Sequence, residues 1–221
     1  MRFENTEVYG FKRALHGMRN PLESWARNDT FEENGNVVVG PNDLGLCQRL
    51  ILSGSEHRKF MRQIMVSVDI TAPLYWWKEF DTYKVGTVAN STSTMHKLAS
   101  TPITLDCFEI DDYDETLTYG DKRLGDVLAE HIAFLEEMRL KYLETKDKRY
   151  WKELIRWLPS SWNQTRTVTM TYENLLAMCS KGQRRFHKLT EWSQAFIGWA
   201  RTLPYAQELL FIDESEDGAS K

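Results

Sequence analysis

The sequence lacks any apolar run near the roughly 20 residues that a membrane-spanning helix needs. It opens on MRFENTEVYG, without the basic-then-apolar region of a secretory signal. No membrane partner is expected. An excess of positive charge is also missing: 28 Lys and Arg stand against 32 Asp and Glu, a formal net charge of −4. Gripping a nucleic-acid backbone needs concentrated positive surface, so nucleic acid is not an expected partner. Cysteine is scarce. Cys47, Cys107 and Cys179 are odd in number, far apart and never in a CxxC. That excludes a disulfide framework and a zinc site, and suits reduced thiols in a cytoplasmic protein. No internal repeat and no phosphate-binding glycine fingerprint occur. The acidic run DCFEIDDYDE, from Asp106 to Glu115, lacks the glycine that a calcium loop places after its alternating acids. It reads as a solvated loop.

What the chain has in abundance is aromatic side chains. Eight Trp, nine Tyr and ten Phe exceed the needs of one core of 221 residues, and aromatics are enriched in interface cores. A homo-oligomer follows as an expectation. The length suits one domain, taken as residues 1–212, with an acidic, disordered tail DESEDGASK from Asp213.

The elements can be read from periodicity and punctuation. Asn20-Pro21 and the run Glu32 to Gly35 suggest turns, and Val37 to Val39 a short strand. Pro41-Asn42-Asp43 starts a helix with Leu44, Cys47 and Leu50 on one face; Ser53-Gly54-Ser55 interrupts it. Gln63 to Thr71 alternates as a strand, with Ile64, Val66, Val68 and Ile70 on one side. Pro73 opens a helix LYWWKEFDTYK, in which adjacent Trp76 and Trp77 face different ways, one to the core and one to an interface. VGTVANSTST reads as a loop. A long amphipathic helix covers Lys122 to about Lys148, its stripe formed by Leu124, Val127, Leu128, Ile132, Leu135 and Met138. Trp151 to Trp157 is a short helix stopped by Pro159, and Val168 to Tyr172 a short strand or extended entry. Helices follow near Asn174–Lys181 and Phe186–Thr202, with Gly182 as a C-cap and Pro204 as a stop. The order predicts a helix-rich α/β chain of the α+β type around a small sheet.

Three stretches carry a resemblance. EHRKFMRQIMVSVDITAPLYWWKEFDTYKVGTVANSTSTMHKL, Glu56 to Leu98, resembles the segment of the flavin-dependent thymidylate synthases (the ThyX family) that holds a histidine-bearing helix, a strand, an Ala-Pro helix and the motif RHRxxSxNExSxR. Ala72-Pro73 falls at the family's Ala-Pro, and no gap is needed from there to the motif. ELIRWLPSSWNQTRTVTMTYENLLA, from Glu153, resembles the family's Leu-Pro, Thr and Asn-bearing helix start, and HKLTEWSQAFIGWARTLPYAQELL its closing helix. Together they cover most of the chain from about Val38 to Leu210. The resemblance implies a homotetramer with shared active sites, and the conversion of dUMP to dTMP with FAD, methylenetetrahydrofolate and NADPH. There the protein supplies binding and electrostatics, with no nucleophile of its own.

The residues that carry this chemistry are largely replaced. The motif here is Thr82-Tyr83-Lys84-x-x-Thr87-x-Ala89-Asn90-x-Thr92-x-Thr94. Thr82, Lys84 and Thr94 stand at arginine positions, Tyr83 at the histidine and Asn90 at the glutamate; Thr87 and Thr92 match the family's serines. An arginine fork grips phosphate or a uracil edge bidentately, whereas threonine offers one hydroxyl and lysine a point charge. Ile155 and Gly182 fall where further arginines are implied, and Thr171 and Ala177 where asparagines are, with Arg156, Arg184 and Arg185 nearby. His57 lands on the flavin-contacting histidine. The resemblance thus implies His57, Tyr83 and Lys84 as cofactor-binding and Thr87, Asn90 and Thr92 as substrate-binding. Read without it, His57 is a surface histidine beside a short helix and Lys84 a solvated lysine. The expected activity is weak or lost. The alternatives are a non-catalytic homo-oligomer that binds a nucleotide or flavin, and an unrelated helical interaction protein.

Overall fold

The computed structural model describes residues 1–216. In chain order the elements are β1 (Arg2–Tyr9), α1 (Phe11–Gly17), β2 (Phe31–Glu33), β3 (Asn36–Val38), α2 (Pro41–Leu52), β4 (Met65–Pro73), α3 (Leu74–Phe80), β5 (Val88–Ser91) and α4 (Thr94–Lys97). Then come β6 (Thr118–Tyr119), β7 (Lys122–Arg123), α5 (Leu124–Thr145), α6 (Lys148–Arg156), β8 (Asn163–Thr171), α7 (Tyr172–Cys179) and α8 (Lys181–Phe186). A π-helical stretch, Glu191–Phe196, leads into α9 (Ile197–Arg201), α10 (Ala206–Leu209) and α11 (Ile212–Glu216). The chain is therefore helix-rich around a small antiparallel sheet of strand order β1-β4-β8-β5, the α+β class that the sequence implies.

The chain groups into two compact units. One comprises Met1, Thr71–Phe80 and Asn90–Arg166; the other comprises Arg2–Ile70, Asp81–Ala89 and the chain from Thr167.

In the second unit alternate residues leading into and along β4 are buried: Ile64, just before the strand, and Val66, Val68 and Ile70 within it are all at most 1% exposed. Val168 and Met170 of β8, Phe11 and Leu15 of α1, and Tyr172, Leu175 and Met178 of α7 are buried with them. Phe11 meets Tyr172 edge-on at 5.1 Å, and the Tyr172 hydroxyl donates to the Pro204 carbonyl at 2.7 Å. The hairpin β2–β3 pairs Phe31 with Val38 and turns at Asn34-Gly35, both at positive φ. That turn matches the right-handed twist of its strands, as the sequence suggests.

In the first unit, Leu98, Ile103, Phe108, Leu135 and Leu154 form a core, with Ile132, Met138, Ile155 and Trp162 packed against it. Trp76 and Trp77 are both buried, so neither is left for an interface; their rings meet edge-on at 5.0 Å. The Trp77 indole donates to the Gln164 carbonyl at 2.9 Å, and the Arg166 guanidinium lies 4.2 Å from its ring centroid.

Several local expectations are corrected. On α2 the buried line is Asp43, Cys47 and Ile51, spaced by four, and Leu44 and Leu50 are half-buried. The VGTVANSTST segment is not all loop: Val88–Ser91 joins the sheet as a fully exposed edge strand. Pro73 ends β4 instead of opening α3. Lys122 and Arg123 belong to a two-residue hairpin strand, and only Leu135 and Arg139 of α5 are fully buried. β8 begins five residues before Val168. Gly182 lies inside α8, because the Ser180 side chain accepts from the Gln183 amide and starts a new helix there. Of the segment expected to be disordered from Asp213, the described part is helical through Glu216, and Asp213 accepts from the Lys181 amide at 2.6 Å. Residues 217–221 lie outside the described residues. Among the described residues no helix is long and apolar enough to cross a membrane.

Candidate functional site

A cavity of about 720 Å³ opens in the second unit, within the range of small-molecule sites. The end of α1, the turn through Asn20–Arg27, the outer face of α2 and the segment Glu56–Gln63 build its wall. Leu46, Leu50 and Phe60 give it an apolar side. Arg19, Arg27, Arg49 and Lys59 give it positive charge, against a single carboxylate, Glu56. His57, exposed, is on the same wall.

One buried carboxylate organises this wall. Asp43, fully buried on the first turn of α2, accepts from Arg19 Nε at 2.6 Å, Thr30 Oγ1 at 2.6 Å, Asn28 Nδ2 at 2.9 Å and the Thr30 amide at 3.0 Å. Asp29 returns the bond: its carboxylate accepts the amides of Asn42 at 2.8 Å and Asp43 at 2.9 Å. Burial raises the Asp29 pKa, but these amides at a helix start outweigh it and hold the carboxyl below its ordinary value. Gly40 is required beside this clamp, since a Cβ there would lie 2.3 Å from the Asp29 carboxyl carbon. Sequence periodicity missed the cavity. Its cations come from four separate segments, and only His57 was singled out in advance.

The Thr82–Thr87 turn is a second feature of the same unit. Tyr83 and His187 share a hydrogen bond, Oη to Nε2, at 3.1 Å. The His187 ring stacks on Trp192 at 3.8 Å, and the Tyr83 ring lies 5.4 Å from the same indole. Asn174 ties the turn to α7 by donating from Nδ2 to the Val85 carbonyl at 2.5 Å. Its Oδ1 meanwhile accepts from the Thr171 amide and hydroxyl in a capping box. Gly86, at φ +81°, passes so close that a Cβ would stand 3.2 Å from Asn174 Oδ1. Lys84 is exposed, and its carbonyl accepts from both the amide and the hydroxyl of Thr87 at 3.2 and 3.3 Å.

Asn90 and Thr92 belong to the first unit and are exposed. The Thr92 amide donates to the Thr165 carbonyl at 2.9 Å, and Gln164 Nε2 donates to the Thr92 carbonyl at 2.9 Å and to Thr94 Oγ1 at 3.4 Å. Arg166, which the sequence reading did not single out, donates to Gln164 Oε1 at 3.0 Å. So Tyr83, Lys84 and Thr87 share one turn, His57 lies on the cavity wall, and Asn90 lies in β5 with Thr92 just beyond its end. Of the arginines near the replaced positions, Arg156 pairs with Glu153, and Arg184 with Asp213 and Glu214 at 3.2 and 3.3 Å; Arg185 is exposed. Among the described residues no group of three or more His, Cys, Asp or Glu could hold a metal ion.

No family model matches the sequence, and no curated protein matches it. Solved structures do. Flavin-dependent thymidylate synthase ThyX from Helicobacter pylori, complexed with FAD and dUMP, is similar at a TM-score of 0.66 and 17% identity, over 96% of this chain and 99% of that one. A second Helicobacter pylori ThyX structure with FAD and dUMP gives 0.64 and 16%, over 96% and 98%. The UMP/dUMP methylase PolB from Streptomyces cacaoi, bound with 5-Br dUMP, gives 0.63 and 15%, over 96% and 94%.

Proposed function

From the premise that this chain has the fold of the flavin-dependent thymidylate synthases, we propose that it binds a nucleotide and a flavin as such proteins do, with the synthesis of dTMP from dUMP weak or lost. The fold likeness displaces the reading of an unrelated helical protein. Fold does not carry activity, so the case rests on the residues.

The observation that carries the reading is the state of the Thr82–Thr94 segment. Its replacements are neutral except for Lys84, and the Tyr83 hydroxyl is already engaged by His187. Holding uracil while its ring gains enolate-like charge needs positive donors. Each missing donor costs roughly 3 kcal/mol, so the two lost at Thr82 and Thr94 slow the step by about four orders of magnitude if their effects add. The residues present still fit a flavin: a ligand-sized cavity holds His57 and four cationic side chains that suit a pyrophosphate. Bound FAD supplies hydride transfer. In this proposal His57 and Tyr83 contact the flavin and Lys84 a phosphate, with the Thr87 hydroxyl on the nucleotide.

The test is an absorption spectrum with and without added FAD, followed by dUMP methylation and exchange of the uracil C5 hydrogen with FAD, methylenetetrahydrofolate and NADPH supplied. Flavin binding with slow or no turnover supports the reading. Turnover near that of ordinary enzymes overturns the loss of activity. A protein that takes neither FAD nor dUMP overturns the binding.

A second reading, a non-catalytic homo-oligomer that keeps the ligand, draws on exposed apolar side chains: Val85 at 89%, Leu22 at 85%, Tyr119 at 80% and Phe186 at 79%. Burying such groups between copies would shield them from water. A homotetramer is the assembly proposed, read by light scattering, and a monomer mass at micromolar concentration counts against it. The free thiols Cys47, Cys107 and Cys179 accord with a cytoplasmic location.

A further inference from the structure

Arg19 is held from one side only. Its side chain is 4% exposed and lines the cavity, and Nε is fixed on Asp43 at 2.6 Å. The terminal guanidinium nitrogens make no hydrogen bond among the described residues. Asp43 has four further donors from Asn28, Asp29 and Thr30, so it keeps the guanidinium oriented and is not itself drawn away. A nearly buried arginine whose outer fork is open toward a cavity is an anion receptor by geometry, since buried donors are otherwise satisfied.

The rest of the wall says which anion. Arg27, Arg49 and Lys59 line the same space and form no ion pair among the described residues; Asp43 balances Arg19 from behind, and Glu56 is the one carboxylate that lines the cavity. With Arg19 balanced by Asp43, three cations still face the single lining carboxylate, an excess that suits a phosphate, which carries up to two charges and three acceptor oxygens. Opposite the cations, Leu46, Leu50 and Phe60 offer apolar surface. We propose that this cavity takes a phosphorylated small molecule with an apolar or aromatic body, its phosphate gripped in bidentate fashion by the two terminal nitrogens of Arg19. Asp43 acts as the positioning residue for that grip.

The proposal concerns the cavity that the flavin reading also uses and deepens that reading, and the experiment separates the two. The full-length protein is titrated by calorimetry with phenyl phosphate, inorganic phosphate and phenol, and separately with FAD. Phenyl phosphate is expected to bind at least tenfold more tightly than inorganic phosphate, with phenol not detected. Arg19→Lys keeps a cation for Asp43 but loses the fork, so phenyl phosphate affinity should fall tenfold or more in a variant that melts cooperatively. Leu50→Glu leaves the Arg19–Asp43 pair untouched and puts a carboxylate on the wall; loss of binding there is expected even if Arg19→Lys does not fold. Affinity unchanged in either folded variant overturns the proposal, as does phenol binding as well as phenyl phosphate, or an absence of phosphate binding at millimolar concentration. A protein that refuses FAD but binds phenyl phosphate through Arg19 upholds it. A yellow protein whose phosphate binding ignores both substitutions refutes it and leaves the flavin reading standing.

Discussion

The Tyr83 hydroxyl and Nε2 of His187 lie 3.1 Å apart, and the imidazole so held stacks on Trp192 at 3.8 Å. The Thr82–Thr87 turn is thereby packed as structure at the place where the resemblance implies a ligand-gripping histidine. Tyr83→Phe keeps the ring against Trp192 and removes only the hydroxyl. A single hydrogen bond of this kind contributes about 1 kcal/mol, so the midpoint of thermal unfolding should fall by roughly 2–4 °C. An unchanged midpoint in a differential scan would show that the bond does not matter to the fold.

Val66 is fully buried in β4 between Ile64 and Val68, which share its face. Val66→Asp places an unpaired carboxylate there, at several kcal/mol, comparable with the roughly 5–15 kcal/mol that holds a domain together. The expected product is insoluble or lacks a cooperative melt by circular dichroism. A soluble variant with the parent's midpoint would disprove the facing of the strand.

The strand and its facing were legible because burial enforces a period of two on Ile64, Val66, Val68 and Ile70. β5 was not, since Val88–Ser91 is exposed throughout: backbone pairing with β8 holds it, and pairing leaves no mark in side-chain pattern. The helix start at Ser180 was masked by Gly182, which normally marks an end. The cavity escaped notice because Arg19, Arg27, Arg49 and Lys59 are distant in sequence and share no element, so no window contains them. His57 was found through resemblance alone.

Glu173 lies between Arg58 and Arg62 and accepts from both. Burial raises its pKa, but the hydrogen bonds and charges of Arg62 and Arg58 outweigh that and bring it below the ordinary value of 4.5. A carboxylate depressed on folding adds stability that is present above its unfolded value and lost as pH falls through the folded one. The protein should therefore lose stability below about pH 4.5 in part through this group. Glu173→Gln should flatten that portion of the curve when urea midpoints are compared at pH 5 and pH 3.5. Identical slopes for both proteins would exclude the contribution.

The thiols should divide two to one. Burial pushes the Cys47 and Cys179 thiols up to about 12, which leaves about one thiolate in ten thousand near pH 8. Cys107 is only half-buried. A thiol reagent at pH 8 should modify at most Cys107 in the native protein and all three cysteines in denaturant, as counted by mass spectrometry. Rapid native labelling of Cys47 or Cys179 would mean that their surroundings open.

The pairing of Arg19 with Asp43 also constrains how this sequence can change over generations. Removing either partner strands the other charge in the interior, at about 3–5 kcal/mol, a deficit that marginal stability tolerates poorly. A lineage can abandon the pair only by crossing that deficit or by altering both codons close together. The two positions are thus expected to be inherited as a unit. Any relative carrying an apolar residue at one of them should carry an uncharged residue at the other.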